Sequence, residues 1–517
     1  MTNNNNGVTR REFVRQSACA ALEMTSVVNT MAFLRLTNAA VTSTNIFADD
    51  YKAMVCIFLA GGNDSNNLLV PMGDPGSNPI RRDYETGRAH LGISDADGLH
   101  PLNVPANTQA FQKYYSSGTS PLGVHPSAPE IAQLFNDGDL SFVCNIGSLL
   151  YPIATRDDYI NETVPIPPRL FAHDAQQMQW QTSIADQPGA VGWGGRLADL
   201  MNAGYNGSDS KVSMSVSMAG INTFQKGMNP ETAAFALTPD GARSLSGFGT
   251  NYRNAVEDGS TFENPIYKTN TQGFRLKMVE TIMQLTNDNL LENEYSQRLV
   301  TARSVEDVIG SSVALADNSA IDFDNFFINA QTDLGDQLKM VAKLITGRSE
   351  LGNRRQIFYV QVGGYDTHAN QIESQAELLV ELSTALKAFR DALVAAGEWG
   401  NVVSFTASDF ARTFSPNATG TDHAWAGHQM VMGGPVEGGN IFGHFPSLKT
   451  GDAPGSMDAH RNRGRFIPSI AVDQYASVIA RWFGVQASEM DTIFPNLIRF
   501  NDPFVSSEPN LLFLPVT

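Results

Sequence analysis

Aspartate and histidine residues are concentrated in two short segments of the chain, residues 366–368 and 409–428. Their candidate metal ligands are Asp366, His368, Asp409, Asp422, His423 and His428. Borderline divalent metals such as zinc and manganese bind this mixture of oxygen and nitrogen donors, so the two segments predict a metal site. Asp366 and His368 are two residues apart, so in an extended segment both side chains point to the same side and can bind one ion.

Each segment directly follows a predicted buried strand. Residues 357–362 and 402–406 are apolar, β-branched runs bounded by glycine or polar loops, which is typical of buried strands. Between them, residues 372–396 predict an amphipathic helix that stops at Gly397. Strand, helix and strand form a right-handed βαβ unit, and this unit places both segments at the carboxyl edge of a sheet, where open α/β sheets bind their ligands.

A third strand end adds a further candidate. Residues 54–59 predict a buried strand that runs into Gly61, Gly62, Asn63, Asp64 and Ser65. Glycines allow a sharp turn at the strand end, and the short polar side chains then point out of it. Asp64 is therefore a candidate ligand, with an ordinary turn aspartate as the alternative of equal weight.

Other residues suit the handling of protons and anions. His173 follows the proline-rich residues 164–168 and is a candidate proton donor, with a capping or surface histidine as the alternative. Arg412 and Arg169 are candidates to bind an anion bidentately. For each arginine the alternative is a surface or ion-pair role.

Composition and the first residues indicate where the protein acts. The chain has 517 residues, is 42% apolar and carries a formal charge of −18, which argues against a nucleic-acid or anionic-membrane partner. Arg10, Arg11 and Phe13, followed by the weakly apolar residues 18–36, are typical of a twin-arginine signal. We expect export by the twin-arginine machinery to a periplasmic or extracellular location, with no membrane span in the mature protein.

The chain divides into four parts by pattern. Residues 1–48 predict the signal and a linker, 49–203 the first part of an α/β core, 204–330 an insertion or cap, and 331–517 the second part of the core. Residues 204–273 are rich in Gly, Asn and Thr, and the following residues turn helical. Caps of this kind usually decide which substrate fits.

Several motifs carry a family resemblance. They are GGNDSNN at 61–67, GGYDTH at 363–368, SDFART at 408–413 and GTDH at 420–423. With these motifs and the twin-arginine start, nearly the whole chain resembles the exported family called domain of unknown function 1501. That family is grouped with the alkaline phosphatase and sulfatase superfamily. The resemblance implies an α/β fold, with a doubly wound sheet sandwiched by helices and metals at the carboxyl ends of the strands.

The resemblance also implies roles for individual residues. Asp64 matches the acid of the first strand, and Asp366 with His368 matches an acid and histidine pair. The later pair is either Asp422 with His423 or begins at Asp409, and His428 matches the last histidine. Relatives often have Ser where this chain has Ala172, so the nucleophile would be Ser65 or a water activated by the metal.

Two functions follow from these residues and this resemblance. The first is a secreted metal-dependent hydrolase that acts on a small anionic phosphate or sulfate ester. It would use one or two divalent ions, with zinc or manganese preferred and calcium and magnesium left open. The second is a non-catalytic exported binding or cell-surface protein that retains the hydrolase fold, a role that Ala172 favours.

Overall fold

A mostly parallel sheet forms the centre of the protein. The computed structural model describes residues 51–515 except 107, 116–119, 188, 208–209, 243–251, 286–289, 461 and 506–508. The strands in this part of the chain are β1 (Lys52–Leu59), β2 (Leu69–Pro71), β3 (His100–Pro101), β4 (Leu122–Val124), β5 (Leu140–Gly147), β6 (Ser215–Ser217), β7 (Phe235–Ala236), β8 (Arg355–Val362), β9 (Val402–Ser408), β10 (Gly427–Gly433), β11 (Ile441–Gly443) and β12 (Ile470–Ala471).

Nine of these strands form the large sheet, in the order β11-β5-β10-β9-β1-β8-β6-β7 with β12 paired to β5. Strand β10 pairs antiparallel with β5 and β9, and the other pairs of this sheet are parallel. Strands β2, β4 and β3 form a separate antiparallel sheet.

The helices of the described residues cover both faces of the large sheet. They are α1 (Ser65–Leu68), α2 (Pro79–Arg88), α3 (Pro129–Asn136), α4 (Arg156–Ile160), α5 (His173–Thr182), α6 (Trp193–Tyr205), α7 (Thr271–Met283), α8 (Leu290–Asp317), α9 (Phe323–Phe326), α10 (Asp333–Thr346), α11 (Arg348–Leu351), α12 (Gln371–Ala395), α13 (Val472–Phe483) and α14 (Met490–Ile493).

The layering follows from the alternation of side chains along the central strand β1. Val55 and Ile57 belong to one buried apolar cluster, which includes residues of α3, α10 and α12. Met54 and Phe58 belong to the other, which includes residues of α6 and α13. A strand that is buried on both faces reads as a continuous apolar run, and the predicted α/β sheet sandwiched by helices is confirmed.

The strand ends that matter for function lie side by side. Strand β1 is between β8 and β9, and its last residue, Leu59, pairs with Val362 on one side and Ser408 on the other. Helix α12 connects β8 to β9, as the predicted βαβ unit requires. The three loops that follow these strands therefore start at the same level of one sheet edge.

The segment predicted as an insertion, residues 204–330, is in part core. Strands β6 and β7 lie in this segment and extend the large sheet beyond β8, so the boundary at residue 204 does not separate cap from sheet. Helices α7 and α8 follow them, and a cap role for these helices stays a prediction. Among the described residues, no helix is long and apolar enough to cross a membrane. The predicted signal, residues 1–48, lies outside the described residues.

Candidate metal centre

The loops at the shared sheet edge are folded tightly against one another. The loop after β9, residues 409–426, turns back on itself: the Ala424 amide donates to the Ala411 carbonyl at 2.8 Å, and Arg412 forms a β-bridge with His423. Gly61 in the loop after β1 has φ of +117°, and a Cβ there would lie 2.4 Å from the Asp366 nitrogen. Glycine is therefore required at this position for the loop after β1 to contact the loop after β8.

Four residues form what we call the His-Asp cluster: His173, Asp366, His368 and His423. The Asp366 Oδ1 lies 3.1 Å from the His368 Nε2 and 3.2 Å from the His423 Nε2. The other carboxylate oxygen of Asp366 lies 3.5 Å from the His173 Nε2. One ligand atom from each of His173, Asp366 and His423 lies within 4.8 Å of the others. Three imidazoles thus present the same ring nitrogen to one carboxylate.

Each imidazole of the cluster is oriented by an oxygen behind it. The pairs are His173 Nδ1 with Asp409 Oδ2 at 2.6 Å, His368 Nδ1 with Asp422 Oδ1 at 3.3 Å, and His423 Nδ1 with the Phe171 carbonyl at 2.7 Å. An oxygen acceptor fixes the proton on Nδ1 and leaves a lone pair on Nε2. This is the arrangement that orients histidines as metal ligands.

The contact between His368 and His423 needs a proton or a metal cation between its two nitrogen atoms. Their Nε2 atoms are 2.9 Å apart, and a neutral imidazole with its proton on Nδ1 has only a lone pair to offer there. Two lone pairs at this distance repel. Burial, together with Arg412 and His173, lowers the pKa of His423 despite its bond to the Phe171 carbonyl. A proton on the His368 Nε2 or a metal cation shared by both nitrogens satisfies this contact.

The donors lie close enough together to share one cation. In a tetrahedral zinc site with bonds of roughly 2.0–2.2 Å, neighbouring ligand atoms are roughly 3.3–3.6 Å apart. The Asp366 oxygens lie 3.1–3.5 Å from the three Nε2 atoms, the Nε2 atoms of His368 and His423 are closer at 2.9 Å, and the donors of His173, Asp366 and His423 lie within 4.8 Å of one another. Three imidazole nitrogens and one carboxylate suit zinc or manganese better than calcium or magnesium, which prefer oxygen donors throughout.

Asp366 is held in its charged form by Arg412. Burial raises the pKa of Asp366, but the Arg412 hydrogen bond and charge, with His368 and His423, keep this pKa below its usual value. An Arg412 guanidinium nitrogen lies 2.5 Å from the Asp366 Oδ1. The wholly buried Arg412 also donates to the Gly61 carbonyl and to Thr421.

This binding pattern corrects the predicted role of Arg412. Because its donors are committed to the protein, Arg412 positions Asp366 and does not bind a substrate anion. The second candidate, Arg169, is exposed and forms an ion pair with Asp174 at 2.8 Å, which matches the surface role weighed against its function.

Two predicted ligands, Asp409 and Asp422, lie one layer outside the cluster. Asp409 is wholly buried and accepts from the Gly61 amide at 3.2 Å and the Gln177 side chain at 2.9 Å, in addition to His173. Asp422 pairs with Arg463 at 3.0 Å. Burial raises the pKa of Asp422, but Asn417, Arg463 and His368 lower it below its usual value. Both carboxylates orient histidines instead of facing the cluster.

Asp64 is not brought to the cluster by any hydrogen bond or ion pair within the described residues. Its buried carboxylate accepts from the Arg88 guanidinium and from the Gln371 side chain. Arg88 is wholly buried, so Asp64 compensates a charge that would otherwise be costly in the protein interior. This ion pair uses Oδ2, whereas the buried Oδ1 has no hydrogen-bond partner among the described residues, so the role of Asp64 as a metal ligand stays a prediction.

Ser65 and His428 are also packed away from the cluster. The Ser65 hydroxyl is buried and accepts from the His428 amide at 2.8 Å, so it is not placed for nucleophilic attack. The His428 Nδ1 accepts from the Asn145 amide at 3.3 Å, and its ring stacks on Phe445. Burial lowers the pKa of His428 to about 3. These contacts fix the ring in the core, while its Nε2 has no partner among the described residues, so the role of His428 as a metal ligand stays a prediction.

Sequence reasoning missed the role of Gln177 and the Phe171 carbonyl. Gln177 lies one helical turn after His173 on α5, and both side chains bond to Asp409. The spacing of four residues places them on the same face of the helix, so the sequence could have indicated this shared role. The Phe171 carbonyl points at His423 because Phe171 has φ of +71°. No side-chain type signals a backbone acceptor of this kind.

The fold and the cluster define an α/β protein with a candidate metal centre at the carboxyl edge of its sheet. The sequence model of the family described as "Protein of unknown function (DUF1501)" matches residues 51–461, and the chain belongs to this family. A comparison with curated proteins finds no match.

Solved structures show only a distant likeness. The crystal structure of Ps i-CgsB has 9% identity and a TM-score of 0.32, over 88% of this chain and 78% of that chain. The PsFucS1 sulfatase from Pseudoalteromonas sp. has 11% identity and a TM-score of 0.29, over 80% of this chain and 69% of that chain. At these scores the likeness decides neither activity nor substrate.

Proposed function

We propose that this protein is an exported metal-dependent hydrolase of phosphate or sulfate esters, with its cation held by the His-Asp cluster. The contact between the Nε2 atoms of His368 and His423, 2.9 Å apart, is the observation that supports it most. Both rings have their Nδ1 atoms engaged by oxygens, so a shared cation accounts for the contact.

The cluster has the chemistry that hydrolysis of an ester anion requires. A bound divalent cation would polarise the ester and activate water at neutral pH. Asp366 stays charged because of Arg412, and three oriented imidazoles supply the remaining donors. The side chains of Asp366 and His368 are 43% and 45% exposed, so a substrate can reach the centre from solvent.

Arg463 is the arginine best placed to bind the ester's free oxygens. Its side chain is 44% exposed and pairs with Asp422, which also contacts His368. A guanidinium binds the oxygens of a phosphate or sulfate bidentately. Arg465 lies closer in, donating to the His423 carbonyl at 2.7 Å and stacking on the Phe171 ring. Arg463 therefore replaces Arg412 as the proposed anion-binding residue.

A specific observation also favours the second function, a non-catalytic metal-binding protein. Four protein donors fill the coordination of a tetrahedral zinc ion, as in structural sites, whereas catalytic zinc sites keep a position open. A six-coordinate ion such as manganese bound by the same four donors keeps two positions open. Ala172, before His173, supplies no hydroxyl nucleophile. The identity of the metal thus separates the two functions.

The test combines metal analysis with turnover of the purified protein. For a hydrolase we expect one equivalent of metal and hydrolysis of an aryl phosphate or aryl sulfate, lost on chelation and restored by the metal. Asp366→Asn should lose at least about a hundredfold in rate, while the exposed Asp174→Asn retains activity. One equivalent of metal without turnover supports the binding protein, and absence of metal removes both proposals.

Export is tested separately, because its signal lies outside the described residues. Replacing Arg10 and Arg11 with lysines should retain the precursor in the cytoplasm if the twin-arginine machinery exports it. Normal export of this variant would contradict the proposed route and leave the proposed activity unaffected.

A further inference from the structure

His444 is a buried histidine whose ring has no hydrogen-bond partner. It directly follows β11 at the carboxyl end of that strand and is only 4% exposed. Within the described residues, neither Nδ1 nor Nε2 has a partner. Burial, with a smaller contribution from Lys113, lowers the pKa of His444 to about 3. The ring is therefore neutral near pH 7, with one donor and one acceptor unsatisfied.

Unsatisfied buried polar groups are rare in folded proteins, because each loses its bonds to water without gaining others. The neighbouring polar side chains do not supply the missing partner. Ser469 accepts from Asn145 at 3.0 Å, and Gln474 is engaged at both ends, by the Ala471 amide and the Asn501 carbonyl. His444 thus has binding capacity that the protein itself does not use.

A cavity lies beside this ring. Its volume is about 260 Å³, and its lining includes His444, Lys113, Leu149, Ile153 and Phe500. This size is just below that of typical small-molecule sites, roughly 300 Å³ and above. The lining combines apolar side chains with the Lys113 cation and the unsatisfied His444 ring, so it can contact both a negative charge and an apolar group.

A second cavity of about 210 Å³ shares His444 and Pro509 with the first but is lined by Glu437 and contains no lysine or arginine. An anion therefore prefers the first cavity. In that cavity the lysine supplies positive charge, and the imidazole supplies a hydrogen bond to an oxygen.

We propose that the first cavity is a binding site for a small organic carboxylate with an apolar body. The carboxylate lies between His444 and Lys113, and the apolar body packs on Leu149, Ile153 and Phe500. This site is separate from the His-Asp cluster and needs no metal, so its test does not depend on the proposed hydrolase activity.

The experiment is a calorimetric titration of the purified full chain with benzoate, phenylacetate and the neutral isostere benzyl alcohol. We expect saturable binding of at least one carboxylate and at least about tenfold weaker binding of the alcohol, the value of one charge-assisted hydrogen bond. His444→Phe keeps an aromatic ring of similar shape and removes both nitrogens, and Lys113→Met removes the charge. Each should weaken carboxylate binding about tenfold.

Controls separate this effect from a general loss of structure. Lys277→Met makes the same charge change on an exposed residue of α7 and should bind like wild type. If His444→Phe unfolds, Lys113→Met carries the test alone. The proposal is overturned if neither carboxylate binds at millimolar concentration, if the folded variants bind like wild type, or if a crystal soaked with benzoate shows only water at His444.

Discussion

The role of Asp409 gives the sharpest test of the candidate metal centre. In wild type its Oδ2 accepts from the His173 Nδ1 at 2.6 Å and from Gln177 at 2.9 Å, and its Oδ1 accepts from the Gly61 amide at 3.2 Å. In Asp409→Asn one of these oxygens becomes an NH₂ donor. Whichever way the amide turns, it faces at least one N–H group, and the charge behind His173 is lost.

The size of the effect follows from this geometry. Without a full acceptor behind it, His173 no longer holds its proton on Nδ1, so its Nε2 lone pair is lost to the cluster for part of the time. Loss of such an outer-layer partner weakens metal binding about 10- to 100-fold, or roughly 1.4–2.7 kcal/mol. The unsatisfied buried donor lowers the free energy of unfolding by about 1–3 kcal/mol as well.

The assay is a competition between the apo protein and a chromophoric chelator, with Zn²⁺ and Mn²⁺ measured separately. Asp174→Asn is the matched control, because Asp174 follows His173 in sequence but pairs, among the residues that the structure describes, with the surface Arg169. We expect the control to bind metal within about twofold of wild type. Wild-type affinity in folded Asp409→Asn, or an equal loss in both variants, would refute the proposed role of His173.

Three further perturbations test the surroundings of the centre and a buried carboxyl group elsewhere in the core. Asp64→Asn leaves the buried Arg88 charge uncompensated. Denaturant unfolding should therefore show that the free energy of unfolding falls by about 3–5 kcal/mol, with the metal stoichiometry unchanged. Loss of metal at wild-type stability would instead make Asp64 a ligand. Gly61→Ala and Gly73→Ala share a positive φ of +117° and +97°, but a Cβ meets the neighbouring loop at 2.4 Å only at Gly61. The first variant should therefore lose about 1–3 kcal/mol more than the second and bind metal more weakly, and equal losses would contradict the tight loop contact. Burial raises the pKa of Asp473 to about 7. The favourable contribution of the protonated carboxyl group to folding is therefore complete below the unfolded pKa of about 3.9, and it is lost as the pH rises through 7. Asp473→Asn should thus melt higher than wild type above pH 7, by up to roughly 4 kcal/mol in stability, with the difference closing toward about pH 4; a gain that is independent of pH would be evidence against this charge effect.

The sheet and its functional edge were predictable because their signals are local and strong. Apolar runs at 54–59, 357–362 and 402–406 fall within β1, β8 and β9, and the helix predicted for 372–396 is observed at Gln371–Ala395. A βαβ unit has one preferred hand. That rule alone is sufficient to predict that the loops after β8 and β9 lie at the same edge of the sheet.

The assignment of ligands was less predictable, because it depends on which way each carboxylate faces. Asp366 and Asp409 both follow a buried strand within a few residues, yet Asp366 faces the cluster and Asp409 lies behind His173. Sequence pattern does not distinguish an inner carboxylate from an outer one. The position of Arg412, which bonds to Asp366, is set by long-range packing that no short motif encodes.

Charge links the metal centre to the kind of substrate it suits. Asp366, Asp409 and Asp422 bring three negative charges to the centre, and Arg412, Arg463 and Arg465 bring three positive ones. These protein groups alone sum to zero and give an ester anion no net attraction. A divalent cation bound at the cluster would make the centre net positive, so the ion that would satisfy the facing His368 and His423 nitrogens would also attract an anion. In the proposed hydrolase, metal binding and anion recognition are therefore coupled, and the outer carboxylates suit an anionic substrate best when the ion is bound.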